Sequence, residues 1–191
     1  MKNKIVFFIN RQLIQNDIYY TYNLDISVSV KRNKPKSELG GKEMKLTLEG
    51  IKDCEAWKRA GITLPGYDVE KVSEKAKEEP GWVHFGIGNI FRIFIGGIAD
   101  GLLEEGILDK GITCVETFDY DVVDKIYKPY DNLGLSVILH GDGTREYKVL
   151  GSLAEAVKAQ SSNQRQWNRL KEIFASKSLQ MVSFTITEKG Y

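Results

Sequence analysis

The chain has 191 residues, enough for one domain or one domain with an extension. Its 42% apolar and 28% charged residues suit a globular core rather than a disordered chain, and 27 basic against 26 acidic side chains give no broad electrostatic basis for binding nucleic acid or anionic lipid. Two cysteines, Cys54 and Cys114, make neither a disulfide framework nor a CxxC pair, no apolar run reaches transmembrane length, and Ile5–Ile9 is too short for the core of a signal peptide. A reduced, cytoplasmic protein is the expectation.

Residues 1–43 differ from the rest. Strand-like patches at 5–9 and 26–30 lead into the polar stretch 31–43, and the segment is expected to be a weakly ordered extension. Residues 44–80 are expected to form a helical lead-in, with helices over 55–60 and 69–79. Trp82–Phe85 is a short apolar run stopped by glycine, which predicts a strand. From Asn89 to Glu105, apolar residues at 90, 91, 94, 95, 98, 102 and 103 predict a helix packed on a sheet, ended by Gly106. Ile112–Glu116 is predicted as a second buried strand, and 121–127 as a short helix stopped by Pro129. Leu133, Leu135, Val137 and Leu139 alternate, Gly141-Asp142-Gly143-Thr144 signals a turn, and 146–150 can return, so a β-hairpin is predicted. Helices are expected over 153–159 and 164–175, and a final strand over 179–187. Strands alternating with helices imply an α/β fold: a Rossmann-like, mostly parallel sheet with flanking helices and an inserted hairpin over 81–191.

The most informative segment is Phe85-Gly86-Ile87-Gly88-Asn89-Ile90-Phe91-Arg92, where a predicted strand becomes a helix. That is the setting a dinucleotide fingerprint requires. Gly86 can make the tight turn. Gly88 lets a pyrophosphate approach the backbone, where free amides at the helix N-terminus face its negative charge. Asn89 is a candidate N-cap, and Arg92 can add a cation. Phe91 occupies the usual third glycine position, so the match is partial. Glu116 ends the next strand, where a carboxylate accepts hydrogen bonds from the adenosine ribose; with Asp119 and Asp121 it would repel a 2′-phosphate, which favours NAD over NADP. Thr187 and Glu188 follow the last strand. Ligands of open α/β sheets bind beyond the carboxyl ends of strands, and Gly86, Glu116 and Thr187 all stand at such ends.

Other candidates carry less. His84 falls within a predicted buried strand and is expected to be a satisfied core histidine. His140 abuts the hairpin turn, and the two histidines with the two cysteines make no metal-ligand set. A methyltransferase also places GxG after its first strand, but an acid usually precedes those glycines, and here that place holds His84-Phe85.

These residues resemble the long-chain mannitol dehydrogenase family, which includes mannitol 2-dehydrogenase and fructuronate reductase (mannonate oxidoreductase). The resemblance lies in Trp82–Gly88 with Arg92, in Val149-Leu150-Gly151-Ser152-Leu153, and above all in Ser183-Phe184-Thr185-Ile186-Thr187-Glu188-Lys189-Gly190-Tyr191. Met44–Ile51 resembles a native start in the branch nearer fructuronate reductase, so the resemblance covers 44–191. It implies an NAD-binding domain for a polyol or sugar-acid substrate, with Gly86, Ile87, Gly88, Asn89, Phe91 and Arg92 in the cofactor site and Thr187 to Gly190 close to it. Many members carry Phe-His where this chain has Ile90-Phe91. The family continues into a helical domain bearing a catalytic lysine with asparagine and histidine partners. Nothing here matches that domain, so the sheet is expected to be incomplete and turnover absent in this chain alone. A non-catalytic nucleotide-binding or interaction module is the alternative.

Overall fold

The computed structural model describes residues 44–186. The extension expected over 1–43, with its strand-like patches at 5–9 and 26–30, and Thr187 and Glu188 lie outside them. In chain order the elements are α1 (Cys54–Arg59), β1 (Ile62–Thr63), α2 (Val69–Glu78), β2 (Trp82–Phe85), a helix whose regular part is α3 (Gly96–Glu104), β3 (Ile112–Glu116), β4 (Gly134–Leu139), β5 (Arg145–Leu150), β6 (Leu153–Lys158), α4 (Gln164–Ala175) and β7 (Met181–Phe184). Side chains close the helix starts: Asp53, Asp68 and Asn163 accept from the amides of Ala56, Lys71 and Gln166.

The main sheet has the order β6-β3-β2-β7, and all its pairs are parallel. Numbered along the chain within this sheet, that is 3-2-1-4, the first four positions of a doubly wound dinucleotide fold. The sheet is buried on two faces. On β3, Ile112 and Cys114 join one core with Ile87, Phe91, Ala99, Val123, Tyr127 and Leu153. Val115 points the other way, into a core with Val83, Val157, Leu170 and Ile173 of α4. All five residues of β3 are buried, as a central parallel strand requires. The chain crosses to α4 after β6 and returns as β7 on the far side of β2. The strand order therefore reverses between β2 and β7, and a crevice opens at their carboxyl ends. β7 ends the described sheet, with Met181, Val182, Phe184 and Ile186 exposed.

The expected hairpin is present: β4 and β5 pair antiparallel from Gly134↔Leu150 to Leu139↔Arg145. The two-residue strand β1, which the sequence pattern did not suggest, pairs parallel to β5 and makes a second sheet, β1-β5-β4. A third core of Leu46, Trp57, Ile62, Val69, Leu133 and Val149 joins the lead-in to this hairpin sheet. Buried Asp100 of α3 fastens it further. Its Oδ1 accepts from the Tyr67 hydroxyl and, at 3.0 Å, from the Gly151 amide, and Lys148 Nζ lies 2.7 Å from Oδ2.

One expectation is corrected. The expected helix over 153–159 is instead the strand Leu153–Lys158. Leu, Ala, Glu and Lys favour helices intrinsically, but parallel pairing of this segment with β3 buries Leu153, Ala154 and Val157, and Glu155 is held by the Arg169 guanidinium of α4 at 2.7 Å. The short helix at 121–127 ends at Tyr127 as expected, although it is π-type over Val123–Tyr127, and Pro129 sits in the 3-10 turn Lys128–Tyr130 that follows. The helix after β2 likewise begins in π form, Phe91–Ile95, before α3. Cys54 is exposed and Cys114 buried, and both are free. Among the described residues no helix is long and apolar enough to cross a membrane, and no group of acidic, histidine or cysteine side chains is placed to hold a metal ion.

Candidate functional site

The site lies where β2, β3 and β7 end. Gly86 has φ +85°, a conformation that L side chains rarely adopt. A Cβ there would stand 2.6 Å from the Thr185 carbonyl oxygen, so the close approach of β7 requires glycine as much as the turn does. The turn is fixed on three sides. The Gly86 amide donates to the Val115 carbonyl at 3.1 Å, the Thr185 amide donates to the Phe85 carbonyl at 2.8 Å, and the buried Tyr127 hydroxyl donates to the Ile87 carbonyl at 2.7 Å. Gly88 is different: it is exposed, and a Cβ there would meet nothing within 4 Å. The helix ladder opens with the Arg92 amide on the Gly88 carbonyl at 3.1 Å, so the amides of residues 89–91 stand ahead of it at the helix N-terminus.

The structure brings together most of the expected residues but changes what several can offer. Ile87 and Phe91 are fully buried, and the Phe91 ring stacks on His84 with centroids 4.1 Å apart. Their side chains are core, so a ligand can reach only their backbone. Asn89 is not a side-chain N-cap. Its Oδ1 accepts from the Arg92 guanidinium instead, because Arg92 is drawn across the helix start and over the Tyr127 ring, 5.8 Å from the centroid. Burial lowers the Arg92 pKa from its ordinary value, with Tyr127 acting in the opposite direction. Among the described residues Arg92 has no carboxylate partner. A half-buried guanidinium beside free helix amides and an open glycine has the chemistry to receive an anion.

Glu116 stands at the end of β3 as expected, but its side chain turns back. Oε1 accepts from three successive amides, Thr117 at 2.9 Å, Phe118 at 3.0 Å and Asp119 at 3.3 Å. One oxygen of the carboxylate thus orders its own loop, leaving the other for a ligand. The loop holds Phe118 out, 92% exposed, beside the strand end.

His84 is the core histidine that the sequence predicts. It is fully buried, and both ring nitrogens have partners: Nδ1 with Ser183 Oγ at 2.7 Å and Nε2 with Thr185 Oγ1 at 2.9 Å. Burial pulls its pKa down to about 4, with a backbone hydrogen bond at Gly86 acting the other way, so it is neutral near pH 7. Sequence reasoning missed the partners of this histidine, and also Tyr127. The only available signal was register, since hydroxyls at 183 and 185 share a face with Trp82 and His84 once β2 and β7 are paired.

No family model matches the chain. A D-mannonate oxidoreductase of Thermotoga maritima is 50% identical over 148 residues, which is 78% of this chain and 27% of that protein. Two solved structures share its fold. A D-sorbitol dehydrogenase in substrate-free form has 27% identity and a TM-score of 0.57 over 69% of this chain and 26% of its own. Mannitol 2-dehydrogenase of Pseudomonas fluorescens, solved as a ternary complex with NAD and D-mannitol, has 28% identity and a TM-score of 0.56 over 69% and 25%. The chain belongs to the mannitol dehydrogenase and mannonate oxidoreductase family. It spans about a quarter of the length of these family members. The family membership accounts for a parallel sheet flanked by helices.

Proposed function

We propose that residues 81–191 are the NAD-binding portion of a polyol or hexuronate oxidoreductase, with D-mannonate and fructuronate as the first substrate pair to test and mannitol and fructose as the second. The observation that carries the reading is the convergence at the β2–β7 crevice of an open Gly88, the free amides of a helix N-terminus and an Arg92 without a carboxylate partner among the described residues. That set fits a pyrophosphate: backbone amides and a guanidinium for the anion, and no Cβ in its path. The remaining Glu116 oxygen is the acceptor for the adenosine ribose hydroxyls. Its charge, with Asp119 and Asp121 nearby in sequence, disfavours a 2′-phosphate and selects NAD over NADP. Thr187 and Glu188 are assigned to the cofactor's surroundings by their place after β7. When bound, nicotinamide supplies two-electron redox chemistry. This chain's residues bind and orient it, and no residue here is assigned the proton transfer of the reaction. The 50% identity to a D-mannonate oxidoreductase supports the choice of first substrate.

The test is calorimetric titration of the chain with NADH, using NADPH and S-adenosylmethionine as controls. NADH is expected to bind, NADPH more weakly, and S-adenosylmethionine not at all. Glu116→Ala should narrow the gap between NADH and NADPH. A folded chain that binds none of them would refute the reading. Joining the chain to the remaining length of a family member should give mannonate oxidation. Binding without such restoration would favour a non-catalytic nucleotide-binding module.

A further inference from the structure

A chain of side-chain hydrogen bonds runs across β2 and β7 towards the glycine turn. It exists because Trp82 pairs with Met181 and His84 with Ser183 in parallel register, which sets alternate side chains of the two strands on one face. The Trp82 Nε1–H donates to Ser183 Oγ at 2.7 Å. Ser183 Oγ lies 2.7 Å from His84 Nδ1, and His84 Nε2 lies 2.9 Å from Thr185 Oγ1. The indole can only donate. If His84 carried its proton on Nδ1, Ser183 Oγ would receive two donors and its own proton would have no acceptor among the described residues. With the proton on Nε2, each donor meets one acceptor: indole to serine, serine to Nδ1, and Nε2–H to threonine. The Thr185 hydroxyl then accepts from His84, and its own proton is left over. Thr185 lies against the glycine turn, since a Cβ built on Gly86 would be 3.5 Å from Thr185 Cβ. Burial keeps His84 neutral, so this polarity does not change near neutral pH.

We propose that His84 is a positioning residue that sets the direction of this hydrogen-bond chain, so that Thr185 donates to an oxygen on the nicotinamide side of the bound dinucleotide. The proposal rests on the dinucleotide reading of the site above. The side is assigned by topology: β3 with Glu116 flanks β2 on the adenosine side, and β7 flanks it on the other.

Two measurements test it. Long-range proton–nitrogen spectra of the imidazole in the free 191-residue chain are expected to show the neutral Nε2–H tautomer from pH 8 down to about 5. An Nδ1–H tautomer, or protonation near the ordinary value of about 6.5, overturns the relay whether or not cofactor binds. By calorimetry, Thr185→Val should weaken NADH about tenfold and leave ADP within about twofold, the scale of one lost hydrogen bond. Thr185→Ser, which keeps the hydroxyl, should bind both as the wild type does. His84→Phe keeps the stack on Phe91 and should reproduce the loss for NADH, and the double variant should bind no more weakly than Thr185→Val alone. Losses that add, or that fall equally on ADP, mean a structural role only and overturn the proposal. Wild-type protein that binds neither nucleotide overturns the dinucleotide reading and with it the role given to Thr185.

Discussion

The two glycines of the turn should respond in opposite ways to the same added methyl group. At Gly86 an alanine would have to hold φ near +85°, and its Cβ would stand 2.6 Å from a backbone oxygen of Thr185. The left-handed conformation costs about 1–2 kcal/mol. Relieving the contact means pushing β7 off β2, which weakens the 2.8 Å bond from the Thr185 amide to the Phe85 carbonyl and costs about 1 kcal/mol more. Gly86→Ala should therefore lose about 2–3 kcal/mol of stability. At Gly88 the methyl meets nothing within 4 Å, and the backbone is not in the left-handed region. Gly88→Ala should be as stable as the wild type, or gain about 0.4–1 kcal/mol through the unfolded chain. In the proposed NAD site, however, the methyl would stand where the pyrophosphate approaches the amides. Losing one charged hydrogen bond costs about 1.5–3 kcal/mol, so NADH affinity should fall about 10- to 100-fold. Urea unfolding of both variants, with calorimetric titration of Gly88→Ala, separates the effects. Gly88→Ala that binds NADH as the wild type does, or that unfolds as early as Gly86→Ala, would refute these roles for the two glycines.

Three further outcomes follow from the same geometry. Arg92→Ala should weaken NADH about tenfold at low salt and flatten the salt dependence of binding, because the cation lost has no carboxylate partner among the described residues; an unchanged salt slope would remove Arg92 from the site. Asp100→Asn should lose about 2–4 kcal/mol in urea unfolding, since Lys148 would keep its place without its buried counter-charge, and a loss under 1 kcal/mol would show that the carboxylate does not fasten the hairpin sheet to α3. His84 has a lowered value of about 4 in the folded protein, so its contribution to stability is complete above the unfolded value of about 6.5 and is lost as pH falls from there to about 4, amounting to at most about 3 kcal/mol. Urea midpoints across that range should fall more steeply for the wild type than for His84→Phe, and parallel curves would refute the buried neutral state.

What was legible in the sequence, and what was not, divides along a physical line. β2, α4, the hairpin and the buried β3 could be read because local pattern and tertiary role agree there: five consecutive residues of β3 are buried on both faces, and the hairpin carries its own turn chemistry. Residues 153–158 could not, because alanine, glutamate and lysine favour a helix and only the pairing with β3 makes them a strand. β1 is two residues long and exists only because β5 offers an edge. At the site, the backbone features were legible, since glycines before a helix announce a turn and free amides. The side-chain directions were not. That Asn89 would serve Arg92, that Glu116 would fold onto its own loop, and that Tyr127 would hold the turn from 40 residues away depend on packing between elements distant in the chain.

The third glycine position of the fingerprint is filled in a different way here. In the full pattern, glycine there lets the helix settle closely onto the strand. Here the position holds Phe91, whose ring fills that space instead: it is fully buried, stacks on His84 at 4.1 Å and belongs to the core with Ile112, Cys114 and Leu153. The helix accommodates the ring with the π-type segment Phe91–Ile95 and reaches the sheet region one turn later at Gly96. There a Cβ would stand 3.3 Å from Leu153 Cδ2, and the Gly96 carbonyl accepts from the Ser152 hydroxyl at 2.7 Å. The glycine for close approach has moved along the helix. Restoring the full fingerprint with Phe91→Gly should consequently harm the protein. Removing a buried phenylalanine ring costs about 3–5 kcal/mol, and glycine within a helix about 1 kcal/mol more. Urea unfolding should show a loss of about 4–6 kcal/mol by these estimates, and water admitted beside His84 should move its titration up towards the ordinary value. A Phe91→Gly variant as stable as the wild type would mean that the helix can settle at position 91 after all, and that Gly96 is not the point on which its packing turns.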